Sequence, residues 1–176
     1  MAARLLNCGG VNGIKKINLL LGSAERRLNC VIEAAVLDVC YNQAAVESTK
    51  TLRLGEFVRH GSLGSFDLMM LLPDCLLAEP GQRGGGVPLE RTLAAIRTLR
   101  NQRSTPLILL SSATEDHSRF VQAGADWVTH EAFNEDELKS EVRRLLQLPE
   151  PEPEPEPNGW SLATLLVRGV HLLKKA

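Results

Sequence analysis

Short apolar runs alternate along this chain with segments whose apolar residues recur at helical spacing. The clearest runs are 17–21 (INLLL), 66–72 (FDLMMLL) and 106–110 (PLILL), and weaker strand candidates lie at 44–51 and 127–129. Continuous apolar runs of about four to eight residues are typical of strands that are buried on both faces of a parallel sheet. The pattern therefore predicts five strands.

A helix is predicted after each strand, because apolar residues recur there at three- and four-residue steps. The predicted helices span 25–42, 52–60, 88–103, 115–123 and 134–148. Pro88 suits a first helical turn, and Asn134 is a good N-cap with Glu137 in the capping-box position. This alternation predicts an α/β fold with a doubly wound, five-stranded parallel sheet and helices on both faces. The spacing leaves the strand order open.

The composition changes after residue 148. Residues 149–157 alternate proline with glutamate; proline removes backbone donors and the like charges repel, so this segment is predicted to be an extended polyproline-II linker. Residues 158–176 show helical apolar spacing, with Lys174 and Lys175 at the end, and predict an amphipathic C-terminal helix. The expected organisation is thus one domain at 14–148, a Pro-Glu linker at 149–157 and a helix at 158–176.

Three roles are open for the C-terminal helix. It can fold back on the domain, dock into a partner, or lie on a membrane surface through its apolar face and basic end. Arg168 and His171 interrupt the apolar side, which disfavours membrane insertion. The nineteen residues 158–176 are too few for a helix-turn-helix unit, which is a common DNA-binding motif. Any effect on transcription is therefore expected to act through a partner.

Composition and charge exclude several classes of protein. Hydrophobic residues make up 44% and charged residues 23%, as in soluble globular proteins, and a net charge of −1 without a basic stripe gives no case for nucleic acid. No segment has about 18 uninterrupted apolar residues, and the N-terminus lacks a signal-peptide run, so we expect a cytoplasmic protein. The widely spaced cysteines favour buried thiols over zinc or disulfides; they are Cys8, Cys30, Cys40 and Cys75.

Residues 104–133 (STPLILLSSATEDHSRFVQAGADWVTHEAF) resemble the second half of a response-regulator receiver domain. In that family a strand beginning T-P ends in Thr or Ser, and a short helix leads to an A-G-A-D motif and a last strand. Here 123–126 read AGAD, and Phe133 matches the aromatic residue of the family's closing K-P-F. FDLMMLL and KINLLLGSAE resemble the family's third strand and its first strand with the following turn. The resemblance implies a flavodoxin-like receiver fold over the domain.

The family's chemistry uses an acidic pair that holds Mg²⁺, an acceptor Asp, a hydroxyl and a Lys, which together offset charge on the phosphoryl oxygens. By the resemblance, the acidic pair falls on Leu21, Gly22 or Ser23, the acceptor on Leu72, the hydroxyl on Ser111 and the Lys on Glu131. Only the hydroxyl is retained, and it can equally serve backbone groups at its strand end. The resemblance therefore implies no acceptor at the family position, no metal or other cofactor, and no enzymatic activity.

Two functions follow from these losses. The first is a pseudo-receiver that acts as a phosphate-independent docking module in a two-component-type pathway. Its partner would be a histidine kinase or another signalling protein, bound through 114–148, where Arg119, Glu135 and Lys139 are candidate contacts. The alternative is an atypical phospho-accepting response regulator that uses a displaced aspartate, Asp74, which otherwise is a turn residue. A small enzyme on this scaffold is a third hypothesis without a catalytic constellation.

Overall fold

The computed structural model describes residues 15–41, 43–78, 80 and 87–150, in which strands and helices alternate. The strands are β1 (Lys15–Gly22), β2 (Ala44–Thr51), β3 (Leu68–Leu71), β4 (Leu107–Leu110) and β5 (Trp127–Thr129). The helices are α1 (Arg26–Cys40), α2 (Leu54–Leu63), α3 (Leu89–Gln102), α4 (His117–Ala123) and α5 (Glu135–Leu145). Each predicted strand and helix of the domain is present, with ends that differ by a few residues. The linker beyond residue 150 and the predicted helix at 158–176 lie outside the described residues.

All strand pairs are parallel, and the sheet order is β2-β1-β3-β4-β5. Helices α1 and α5 cover one face of the sheet, and α2, α3 and α4 cover the other. The predicted fold class, a doubly wound five-stranded sheet with helices on both faces, is confirmed. The order reverses at β1 and β3, and in open α/β sheets ligands bind outside the carboxyl ends of strands at such a point. Among the described residues no helix is long and apolar enough to cross a bilayer.

The central strands owe their continuous apolar sequence to their position in the sheet. Every residue of β3 (LMML) and β4 (LILL) is buried, because helices cover both faces there. Burial of a leucine or methionine side chain contributes about 1.5–3 kcal/mol relative to exposure. The edge strand β2 is mostly exposed or half-buried, which explains its weaker apolar pattern.

The A-G-A-D stretch joins α4 to β5 and has a structural role. Gly124 ends α4 with φ at +117°, a backbone conformation that favours glycine. The Asp126 carboxylate accepts a hydrogen bond from Leu107 N at 2.8 Å and forms an ion pair with Arg100 of α3. These contacts attach the start of β5 to the start of β4, so the motif positions the edge of the sheet.

Candidate functional site at the carboxyl edge of the sheet

Two of the positions that the resemblance assigns to acidic residues are filled by buried apolar side chains. Leu21 in β1 and Leu72 just after β3 both have 0% exposure and belong to the apolar cluster under α1 and α5. Leu72 N donates to Gly22 O at 2.9 Å, which holds the two strand ends together. In the part of the chain that the structure describes, no group of three or more His, Cys, Asp or Glu is arranged to hold a metal.

Gly22 leaves no space for an acidic side chain in the present packing. A Cβ atom there would lie 2.6 Å from Phe57 Cδ2 and 2.9 Å from Leu71 Cδ1, and both neighbours are fully buried. Ser23, the other candidate position, is buried and its Oγ accepts from Glu25 N at 3.0 Å. This contact shapes the turn that starts α1. The sequence positions of the acidic pair are therefore used for packing and for a helix start.

The structure brings Asp74 together with the retained hydroxyl. Asp74 lies in a 3-10 turn, Pro73–Cys75, and its Oδ2 atom accepts three hydrogen bonds from the chain after β4. The donors are Ser111 Oγ at 3.0 Å, Ser112 N at 2.8 Å and Ser112 Oγ at 3.0 Å. Ser111 Oγ also accepts from Ala113 N at 3.3 Å. The carboxylate therefore ties the loop after β3 to the loop after β4.

Ser112 is a member of this site that the sequence analysis did not single out. The signal was the second serine of the pair that follows β4, directly after the hydroxyl position of the family. Its backbone N–H and hydroxyl supply two of the three donors to Asp74. The interpretation of Ser111 as a residue that serves only the backbone is incomplete, since its hydroxyl also donates to a carboxylate.

The immediate surroundings of Cys75, next to Asp74, carry negative charge. Burial raises the pKa of the Cys75 thiol, and the carboxylates of Glu131, Asp74 and Glu25 raise it further. Glu131 is the residue that stands at the family's lysine position. None of the ion pairs among the described residues includes Asp74. An added phosphoryl group would therefore meet hydrogen-bond donors here, but no paired cation.

Arg119, one of the candidate partner contacts, lies on α4. Its guanidinium pairs with Glu90 of α3 at 2.6 Å and with Asp116 at 3.4 Å, and its side chain is 45% exposed. Exposed ion pairs of this kind contribute about 0–1 kcal/mol, so the residue can exchange partners at little cost. Val121 lies near it on α4 and is 53% exposed. This helix thus presents an accessible arginine and an exposed apolar side chain.

The other two candidate contacts lie on the opposite side of the sheet. Lys139 of α5 pairs with Asp38 of α1 and with Glu135, both at 2.8 Å. Hydrogen bonds to these carboxylates raise the pKa of Lys139, and Lys139 lowers that of Asp38. Reversing the charge at Lys139 would place three carboxylates together, so this change tests helix packing as well as partner binding.

Solved structures of receiver domains share the fold of this chain. No protein-family model and no curated protein matches the sequence. Among solved structures, the receiver domain of Francisella response regulator 1452 is similar, with a TM-score of 0.54 and 20% identity over 74% of this chain and 97% of that chain. The fold is that of a receiver domain. A receiver domain protein from Methanospirillum hungatei has a TM-score of 0.54 at 17% identity, over 77% of this chain and 95% of its own.

One further structure of the receiver fold contains a metal ion. The receiver domain of sensor histidine kinase PA1611 from Pseudomonas aeruginosa holds a magnesium ion in its active-site cleft. It has a TM-score of 0.55 and 19% identity, over 75% of this chain and 98% of that chain. In the receiver fold described here, Leu21 and Leu72 are buried at the carboxyl edge, and Asp74 is held by two serines. These comparisons show the fold.

Proposed function

We propose that this chain is a signalling protein of the two-component type, in which the receiver fold acts as a phosphate-independent protein-docking module. The observation that carries the proposal is the complete burial of Leu72 at the position of the acceptor aspartate. The proposed partner is a histidine kinase or another component of the pathway. The protein would act by binding and not by catalysis.

Phosphoryl transfer to a carboxylate needs a nucleophilic oxygen. It also needs positive charge close to the oxygens of the transferred phosphoryl group, where negative charge gathers. A leucine side chain has no such oxygen, and the space beside Gly22 is occupied by Phe57 and Leu71. Glu131 adds negative charge where the family has a lysine. Each of these differences acts against phosphorylation at this edge, and together they favour a module that does not depend on it.

Asp74 offers a reason why the docking surface can be stable without phosphate. Its carboxylate is a fixed negative charge that accepts from Ser111 and Ser112 at the start of the segment leading into α4. Charge-assisted hydrogen bonds are shorter and stronger than neutral ones, so the loop is held in one arrangement. In this proposal the surface of α4, β5 and α5 is available to the partner without phosphorylation. The fraction of the protein in complex then depends on the partner's concentration.

Amide NMR spectra of the full chain, recorded with Mg²⁺ alone and with Mg²⁺ plus beryllofluoride, test the proposal. Beryllofluoride imitates an aspartyl phosphate, so the expected result is no shift beyond the weak effects of Mg²⁺ alone. Saturable shifts of the Ser111 and Ser112 amides, absent in an Asp74→Asn variant, would contradict phosphate independence.

A second candidate function is phosphate acceptance at Asp74. The observation that favours it is the cluster of donors around the Asp74 carboxylate, with a ring nitrogen of His117 lying 3.4 Å from Ser111 O. Incubation with a small-molecule phosphodonor and intact-mass analysis would then reveal one added phosphoryl group. Asp74→Asn should abolish this added mass. Asp67→Asn should not, because Asp67 lies before β3, at the amino end of the strand, and accepts from Asn18 N.

The proposed partner surface is best probed on α4. Arg119→Glu and Val121→Asp change exposed side chains, so both variants should fold with an unchanged melting temperature. In-cell cross-linking of the tagged full chain should lose the same partner in both variants. Leu63→Asp, an exposed leucine at the end of α2, is the matched control and should retain it. Retention of every partner by both α4 variants would remove this helix from the surface.

A further inference from the structure

Helix α1 has a second apolar face that points away from the core. Its inner face buries Ile32, Ala35, Val36 and Val39, and its outer face carries Cys30, Val31, Ala34, Leu37 and, at the C-cap, Tyr41. Val31 is 44%, Leu37 52% and Tyr41 74% exposed. These five residues are called the outer face of α1. A helix that lies between protein and water normally has a polar outer face, and one that is apolar on both sides is typically covered on both.

The spacing of these residues distinguishes the outer face from scattered surface leucines. Single exposed apolar side chains are common and need no explanation. Here exposed apolar or small residues recur from Cys30 to the C-cap of α1, and the exposed charges on the same side are Arg27 before them and Asp38 near the end. Neighbours three and four positions apart lie above one another on a helix, so they form one continuous stripe.

The chain beyond the described residues starts close to this stripe. Helices α1 and α5 pack side by side and both run back toward the amino ends of the strands, so their C-terminal ends are neighbours. The Lys139–Asp38 ion pair joins them, and Leu148 packs on the core cluster beneath both helices. The domain therefore releases the chain at Glu150 near the Tyr41 end of α1.

The linker has the length that is needed to use the stripe. Residues 151–157 in a polyproline-II conformation span about 22 Å, at about 3.1 Å per residue. Helix α1 is also about 22 Å long, at about 1.5 Å per residue. The segment 158–176 can therefore begin at either end of α1. Its apolar residues recur at the same three- and four-residue steps as the outer face; they are Leu162, Leu165, Leu166, Val170, Leu172 and Leu173.

Charge favours one direction for this segment. The first turn of α1 contains Arg26 and Arg27, and one carboxylate is present there, the N-cap Glu25, which accepts a hydrogen bond from Arg27 N at 3.1 Å. The linker contributes three glutamates at alternating positions (Glu152, Glu154 and Glu156). A linker that runs along α1 brings these carboxylates toward the two arginines. A helix over 158–176 that returned along α1 would bring Lys174 and Lys175 to the C-terminal end of α1, which has no basic residue in its last turn.

We propose that residues 158–176 dock within the same chain on the outer face of α1 and cover Cys30 and Leu37. This inference does not rest on the proposed function. It gives the layer of α1 and α5 an additional helix, and any protein that binds the outer face of α1 must compete with the chain's own segment.

The rate of alkylation of Cys30 in the full chain, read by peptide mass spectrometry, tests the proposal. Leu166→Asp should raise the rate about tenfold, the factor expected when about nine-tenths of the molecules are docked. Thr164→Asp, which lies outside the apolar spacing of the segment, should leave the rate at the wild-type value. Because docking would stabilise only the folded state, Leu166→Asp should also lower the melting temperature by a few degrees, whereas Thr164→Asp should leave it unchanged. Equal rates in wild type and Leu166→Asp overturn the proposal.

Hydrogen exchange of the full chain gives an independent reading from the α1 side. Amides of 158–176 should be protected in the wild type and lose that protection in Leu37→Asp, while Leu63→Asp on the other face of the sheet retains it. Random-coil exchange in the wild type overturns the proposal. Protection that appears only at high protein concentration, together with a dimer in light scattering, also overturns it, because the outer face would then be covered by a second copy.

Discussion

Replacing Leu72 by aspartate introduces the residue type that the resemblance assigns to the acceptor position. The substitution tests whether position 72 belongs to the apolar core and is closed to water. The leucine side chain is completely buried in the cluster under α1 and α5. Loss of a buried leucine and the resulting cavity cost about 3–5 kcal/mol. A carboxylate in such a place has its pKa raised by about 3–5 units, and each unit corresponds to about 1.4 kcal/mol. Domains of this size are stable by about 5–15 kcal/mol, so Leu72→Asp is expected to be barely folded at pH 8.

The pH dependence separates the charge from the cavity. Because the folded-state pKa of the new carboxyl is raised, the folded state binds the proton more tightly, and stability falls as pH rises from the ordinary value toward the raised one. Leu72→Asn has a similar shape and no titrating group, so it is the matched control. The stability gap between the two variants should widen by about 2.5–4 kcal/mol from pH 5 to pH 8.

Urea unfolding followed by circular dichroism at pH 5 and pH 8 measures this gap. Both variants should have lower midpoints than the wild type at either pH, and only the aspartate variant should change strongly with pH. If Leu72→Asp and Leu72→Asn are equally stable at pH 8, the carboxylate reaches water. The position would then be an accessible cleft, and apolar packing there would not exclude phosphorylation.

Three further changes have expected outcomes. Asp74→Asn should speed hydrogen exchange of the amides that follow β4 about fivefold with little change in melting temperature, because an exposed carboxylate with three donors contributes about 1 kcal/mol locally; unchanged exchange would show that the loop needs no anion. Lys139→Met should lower stability at neutral pH, because Lys139 lowers the pKa of Asp38 and so stabilises the fold. In the wild type this stabilisation is lost as pH falls below the ordinary value of 3.8, so the variant should lose less stability in acid. An equal loss of stability in acid for both proteins, measured by urea titration, would contradict this. Gly124→Ala should lower thermal stability by about 1–2 kcal/mol, since φ is +117° and the new Cβ would lie 3.0 Å from Arg100 Cγ; a melting temperature at or above the wild-type value would exclude strain there.

Local pattern was sufficient for the elements of the domain. β3 and β4 are buried on both faces, so their apolar runs carry the signal directly. β2 was predicted from β-branched residues alone, and its edge position explains the weak pattern. The start of α5 was predicted correctly, because Asn134 caps the helix and accepts from Asp136 N at 2.9 Å. The start of α4 lies two residues later than predicted, because a 3-10 turn occupies Thr114–Asp116.

The residues at the positions that the resemblance assigns could be read from the sequence, whereas their contacts could not. The family frame placed Leu72 and Glu131 at the acceptor and lysine positions by simple spacing. The contact of Asp74 with Ser111 and Ser112 depends on a 3-10 turn that directs a carboxylate across to a loop 38 residues away in sequence. No local pattern encodes such a contact, because loop geometry follows from how the strands are paired.

The sequence by itself determined the number and type of elements and the fold class, since these depend on periodicity and on the length of the apolar runs. Only the tertiary structure decided the strand order, the burial of Leu72, the lack of space at Gly22, and the pairing of Lys139 with Asp38. The physical reason is that hydrophobic burial is non-directional and specifies which face is covered, but not which neighbour covers it. That choice is made when the strands are ordered and the helices close over them.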